Sequence, residues 1–68
     1  MTATWTFVGW YYDREGQRIG PVTTGEMLRL LESGQLRAED LVWKGWRDDR
    51  EIHFLKSRAG VAAGIWNQ

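Results

Sequence analysis

The chain has 68 residues, with nine basic and nine acidic side chains, one histidine and no cysteine. This length allows one small domain, and the lack of cysteine excludes disulfides and thiolate metal sites. Because the opposite charges cancel and are interspersed, the composition argues against a nucleic-acid-binding protein, which usually carries a basic excess on one face. Five tryptophans offer large rings to a core that is otherwise small.

The first third of the chain has the alternation of β-strands. Thr4–Val8 alternates threonine with aromatic residues, which is the period of a strand. Gly9 indicates a bulge or a bend, and Trp10–Tyr12 then resumes the strand with residues that favour pleated surfaces. A polar turn that ends in Gly16 precedes a returning strand over Gln17–Ile19. We therefore predict a β-hairpin.

A short helix follows the hairpin. Gly20-Pro21 ends the second strand or keeps it at a sheet edge, because proline cannot donate a ladder hydrogen bond. Thr23 and Glu26 have the spacing of a capping box, and apolar residues follow at helical intervals. Gly34 supplies the left-handed residue on which many helices end. These signals predict a helix over Thr24–Ser33.

The second half of the chain returns to strands. Leu41–Trp43 has the composition of a short strand, and Lys44-Gly45 indicates a turn after it. Ile52–Leu55 predicts the last strand, although a helix there is an alternative. The expected architecture is α+β, with a small antiparallel sheet of about four strands and one α-helix packed on it.

The domain boundary falls before an apolar end segment. We expect a single domain over residues 1–58, with its core in residues 10–55, and a tail over residues 59–68. The tail is small and apolar, which is typical of a flexible or loosely docked end. The alternative is that Ile65 and Trp66 dock on this domain or on a second copy of it.

The spacing of aromatic, Gly-Pro and Met positions resembles the signature of the GYF (glycine-tyrosine-phenylalanine) adaptor domain, and especially a divergent bacterial branch of that family. The family pattern is Trp-x-Tyr, a spacer, Gly-Pro-Phe, four residues, Met, two residues, Trp, three residues and Gly-Tyr-Phe. The register holds without a gap over roughly residues 10–55. The matching positions are, in order, Trp10, Tyr12, Gly20-Pro21-Val22, Met27, Leu30 and Gly34-Gln35-Leu36.

The resemblance implies a module that binds proline-rich peptides between flat aromatic rings. At the family's ring positions this chain keeps two aromatic residues and replaces four others. The implied ligand-binding residues are Trp10, Tyr12, Ile19, Val22, Leu30 and Gln35. We expect the rings of Trp10 and Tyr12 to stay open to solvent and to carry most of the affinity. The replacements predict a more aliphatic groove that accepts an extended apolar peptide, with or without proline.

The other function classes have weaker support in the sequence. Catalysis would need a nucleophile beside a base, and the chain's single histidine, His53, is expected at the surface rather than in a catalytic or metal site. We therefore expect no enzyme activity, no cofactor and no metal. Self-association through Trp5, Phe7 or an edge strand stays open, as does weak nucleic-acid binding through Arg and Trp.

The expected partner is a protein or peptide, which can be proline-rich. A homo-oligomer is an open alternative, and nucleic acid is an unfavoured partner. Nothing in the sequence approaches the ~20 apolar residues that a membrane span needs, and the first residues lack the features of a signal peptide. We therefore expect a cytoplasmic protein.

Overall fold

Four strands and two helices make up the fold. The computed structural model describes residues 4–66, and the side chains of residues 4–64. The strands form one antiparallel sheet in the order β2-β1-β3-β4. The predicted α+β class and strand number are confirmed, whereas the prediction of one helix is wrong because a second helix ends the described chain. The elements are β1 (Thr6–Arg14), β2 (Gln17–Val22), α1 (Thr24–Ser33), β3 (Leu41–Arg47), β4 (Ile52–Arg58) and α2 (Ala59–Trp66).

The β1–β2 hairpin follows its predicted form. Glu15 and Gly16 make the turn with φ angles of 53° and 82°. The register between β1 and β3 shifts before Gly9, whose φ is 150°, so the predicted bulge at this glycine is confirmed. β2 continues through Pro21. Because β2 is an edge strand, the missing N–H of this proline is tolerated there.

Helix α1 begins and ends at the predicted residues. The Thr23 hydroxyl accepts a hydrogen bond from the Glu26 backbone N–H at 3.1 Å, which satisfies one of the free donors of the first turn. Gly34 has a φ of 83°, and its N–H donates to the Leu31 carbonyl. Both ends are therefore encoded locally, by a capping hydroxyl and a left-handed glycine.

Strands β3 and β4 are longer than predicted. The turn predicted at Lys44-Gly45 is wrong, because Gly45 is a strand residue that pairs with Gly9 on one side and Phe54 on the other. A Cβ at Gly45 would lie 2.8 Å from Cε1 of Tyr11, so this glycine makes room for a ring that lies across the sheet. β4 continues to Arg58, three residues beyond the predicted end.

The hydrophobic core lies on one face of the sheet. Strand residues that pair side by side, such as Tyr12 and Val42, point to this face together. Both helices also contribute to it. The buried cluster contains Trp10, Tyr12, Met27, Leu36, Val42, Ala59 and Ala62. The sequence-based interpretation of Met27 as a core residue is confirmed, since its side chain is fully buried.

The apolar end segment forms α2 and closes the core. Ala59 and Ala62 are buried, and the Gly60 backbone N–H donates to the Ala38 carbonyl at 2.9 Å. This differs from the flexible or loosely docked end that the composition indicated. The small side chains allow close approach, because a Cβ at Gly60 would lie 2.8 Å from Cβ of Ala38.

Two further expectations concern this end of the chain. The suggested docking of Ile65 and Trp66 lies outside the described side chains. Neither helix in the described part of the chain has the length and apolarity needed to cross a membrane.

The same substitution at two positions of α2 tests its docking. Gly60→Ala should lower the free energy of unfolding by about 1–2 kcal/mol, because overpacking against Ala38 exceeds the gain in helix propensity. Gly64→Ala, where a Cβ meets nothing within 4 Å, should raise it by about 0.5–1 kcal/mol. Urea denaturation measures both. Equal effects at the two positions would contradict the close approach of α2.

Candidate functional site

Trp10 lies beneath the start of α1 and is only 3% exposed. Its indole N–H donates to the Thr24 hydroxyl at 2.8 Å, and its ring meets Phe7 edge to face at 6.1 Å between centroids. The ammonium of Lys44 lies 5.5 Å from the indole centroid. The expectation that Trp10 presents an open ring is therefore wrong. Its side chain ties the helix start to β1 instead.

The expectation of an open ring is also wrong for Tyr12, which belongs to the core and is 8% exposed. Tyr12 still borders a groove. The groove has a volume of about 330 Å³ and lies between α1, β1 and β2. We refer to it as the helix groove. Its lining residues are Tyr12, Val22, Glu26, Arg29, Leu30, Ser33 and Gln35.

The helix groove has an apolar floor and a polar rim. Tyr12, Val22 and Leu30 supply the apolar surface. On the exposed side of α1, Glu26 and Arg29 place opposite charges at the rim, and no ion pair joins them in the described part of the chain. Such a site can desolvate an apolar side chain and still offer hydrogen bonds around it.

Four of the six sequence-predicted residues line this groove, namely Tyr12, Val22, Leu30 and Gln35. Trp10 and Ile19 do not, although Ile19 packs against the same core. The sequence interpretation missed Glu26, Arg29 and Ser33. Glu26 and Ser33 lie four and three residues from Leu30, and Arg29 lies three and four residues from these two. This spacing puts the three side chains on one side of the helix, which is the signal that could have found them.

A second depression lies at the other end of the same sheet face. Its volume is about 500 Å³, and its lining residues are Trp5, Trp46, His53 and Leu55. We call it the indole hollow. Trp5 is 53% and Leu55 61% exposed, so the hollow is an open apolar surface.

Next to the indole hollow, Asp48 organises the β3–β4 turn. Its Oδ1 accepts the backbone N–H groups of Arg50 at 2.7 Å and Glu51 at 2.8 Å, and its Oδ2 lies 2.7 Å from His53 Nε2. The hydrogen bond from Glu51, then those from Arg50 and His53, lower the pKa of Asp48 from 3.8 to about 2. No group of three metal-ligating side chains could hold an ion within the described residues.

Comparison with known proteins identifies the fold family. The family model described as GYF domain 2 matches residues 10–50. The chain belongs to the GYF domain 2 family. The match begins at Trp10 and includes every residue that lines the helix groove. The resemblance found in the sequence is thus confirmed. No curated protein and no solved structure matches the chain.

GYF domains are protein-interaction modules and not enzymes. The helix groove of this GYF domain provides apolar contact and hydrogen-bonding groups. Its two deeply buried aromatic residues differ in role. Tyr12 borders the groove, whereas Trp10 supports α1 from below.

The hydrogen bond between Trp10 and Thr24 can be tested by an isosteric change. Thr24→Val should lower the free energy of unfolding by about 1–3 kcal/mol, because it leaves the buried indole N–H without an acceptor. Thr6→Val, at an exposed strand position, should change it by less than about 0.5 kcal/mol. Thermal and urea unfolding measure the difference. Equal stability of the two variants would contradict a structural role for this bond.

The pKa of Asp48 predicts an acid dependence of stability. Because the folded-state pKa is lowered, the stabilisation is present in full above about pH 4, and it is lost as pH falls from 3.8 towards about 2. Asp48→Asn keeps an acceptor for the backbone but removes the charge. The variant should be less stable than the wild type at pH 7, and this gap should narrow over that pH range.

Asp49→Asn is the control, since the structure shows no hydrogen bond to the Asp49 side chain among the described residues. Urea denaturation at a series of pH values gives the comparison. A gap between the wild type and Asp48→Asn that stays constant from pH 5 to about pH 2 would contradict the assigned cause.

Proposed function

We propose that this GYF domain binds an extended peptide segment of a partner protein in the helix groove. The observation that carries the proposal is that Tyr12, Val22, Leu30 and Gln35, all at ligand-binding positions of the family pattern, border one groove. The family consists of protein-interaction modules, which supports the same class of function.

The groove favours an apolar peptide over a strictly proline-rich one. Proline recognition depends on open aromatic rings, and here Trp10 is buried while Val22 and Leu30 are aliphatic. The volume of about 330 Å³ is at the lower end for ligand pockets and suits one or two apolar side chains. A proline can be one of these side chains, but the groove offers no pair of rings to select it.

The polar rim would hold the backbone of the peptide. The Gln35 amide can both donate and accept, and the Ser33 hydroxyl can do the same. An extended peptide leaves its own N–H and C=O groups unpaired, so these side chains can bind it without reading its sequence. Glu26 and Arg29, with opposite charges on one side of the groove, would favour one direction of the peptide chain.

A matched pair of leucine substitutions tests the proposal. Leu30→Gln should weaken binding of groove-selected peptides about tenfold or more, because it puts a polar group on the apolar floor. Leu55→Gln, the same change in the indole hollow, should leave binding unaltered. The peptides are selected for binding to the wild-type domain from a random display library. Isothermal titration calorimetry measures their affinities. Gln35→Ala, at an exposed position, gives a second groove variant with little effect on folding.

Chemical-shift mapping completes the test. Bound peptide should shift the resonances of Tyr12, Leu30 and Gln35 and leave those of Trp5 and Leu55 in place. If no library peptide shifts the groove resonances, peptide binding in this groove is wrong. A molar mass that rises with concentration and falls in Leu55→Gln would favour the alternative of self-association through the indole hollow.

A further inference from the structure

The sheet has a second face that neither helix covers. Side chains alternate along a strand, so Tyr11, Trp43 and Phe54 lie opposite the core residues. The helices direct their buried side chains to the core face, and the described ring contacts on the second face come from strands alone. We call this second surface the open face, and its central residues are Tyr11, Arg18, Trp43, Phe54 and Lys56.

Glycines let an aromatic ring lie flat at the centre of the open face. A Cβ at Gly20 or at Gly45 would come within 2.7 or 2.8 Å of the Tyr11 ring, so this ring extends over both glycines. The Phe54 ring meets Tyr11 edge to face at 5.1 Å between centroids. Phe54 is 38% exposed. A domain with so small a core thus leaves large rings on a face without a helix.

Arg18 extends from the edge strand β2 across the sheet to these rings. Its guanidinium carbon lies 4.5 Å from the Trp43 ring centroid and 4.7 Å from that of Phe54. Cation–π contact with both rings holds the guanidinium in place and leaves its N–H groups available. In the described part of the chain, no hydrogen bond or ion pair engages them.

The open face concentrates positive charge in a chain whose total charge is zero. Lys56 lies beside Trp43 on the neighbouring strand, so Trp43 has a cation on each side. By strand register the charged residues on this face are four basic and one acidic, namely Arg18, Arg47, Lys56 and Arg58 against Asp13. The interspersed charges of the sequence are thus separated by the fold.

We propose that the open face binds single-stranded nucleic acid. Its cations form no ion pair among the described residues and complement phosphates, although Arg58 also donates to the Glu39 carbonyl at 2.8 Å. Its rings and the Arg18 guanidinium can stack on unpaired bases. An acidic peptide fits the charge but makes no use of the rings. A duplex fits less well, because its bases are already stacked. This surface lies on the other side of the sheet from the helix groove, so it does not rest on the peptide proposal.

The test uses fluorescein-labelled ten-nucleotide oligo(U) RNA and oligo(dT) DNA in anisotropy titrations over a range of salt concentrations. Arg18→Gln should weaken binding about tenfold. It should also make the slope of log K, the logarithm of the association constant, against log salt concentration shallower by about 0.7, because one phosphate contact on a single strand contributes about that much. Phe54→Ala should weaken binding about tenfold through loss of stacking. Binding of either oligonucleotide supports the proposal, and their ratio identifies the preferred sugar.

Two controls separate this surface from general charge and from the groove. Arg37→Gln removes an exposed positive charge outside the strands and should leave binding unchanged. Leu30→Gln should also leave it unchanged, while it weakens peptide binding in the groove. Circular dichroism confirms that each variant is folded.

Several results would overturn the proposal. These are no saturable binding of either oligonucleotide, an equal loss in Arg37→Gln and Arg18→Gln, or wild-type affinity in Phe54→Ala. Tighter binding of a duplex of the same length, or competition by polyglutamate at equal charge, would also overturn it, since each shows attraction by charge alone.

Discussion

The burial of Trp10 under the start of α1 is the contact on which the rest of the structure depends. Its indole fills the space between β1 and the helix, and its N–H is satisfied by the Thr24 hydroxyl one residue after the N-cap. A small domain gains much from one large buried ring, provided that the polar atom of the ring has a partner. This bond ties the start of α1 to β1, and hence places Leu30 relative to Tyr12 beside the groove.

The burial of Trp10 also changes what the groove can bind. An indole held in the core cannot stack on a ligand, so the surface next to it is made of Tyr12, Val22 and Leu30. In the proposed peptide complex, a groove of this composition would favour apolar side chains of varied shape. A tryptophan at this position of the family pattern can therefore stabilise the fold and not contact a ligand, if a helix covers it as α1 covers Trp10.

The two proposed binding surfaces lie on opposite faces of the sheet. One face is covered by residues of both helices and has its groove beside α1. The other face has aromatic rings and an excess of basic side chains, and Gly20 and Gly45 leave room on it for the Tyr11 ring. Because these surfaces lie on opposite sides, a ligand on one does not exclude a ligand on the other.

The sequence by itself determined the elements whose signals are local. The Thr23 cap and the left-handed Gly34 fixed both ends of α1, Gly9 marked the bulge, and the family spacing pointed to four of the groove residues. Only the tertiary structure decided that β3 continues through Gly45. In the sequence, Lys44-Gly45 has the composition of a turn, and nothing local shows that this glycine makes room for the Tyr11 ring. The tertiary structure also decided the burial of Trp10 and the separation of charge onto the open face, because these depend on which residues the strand register brings together.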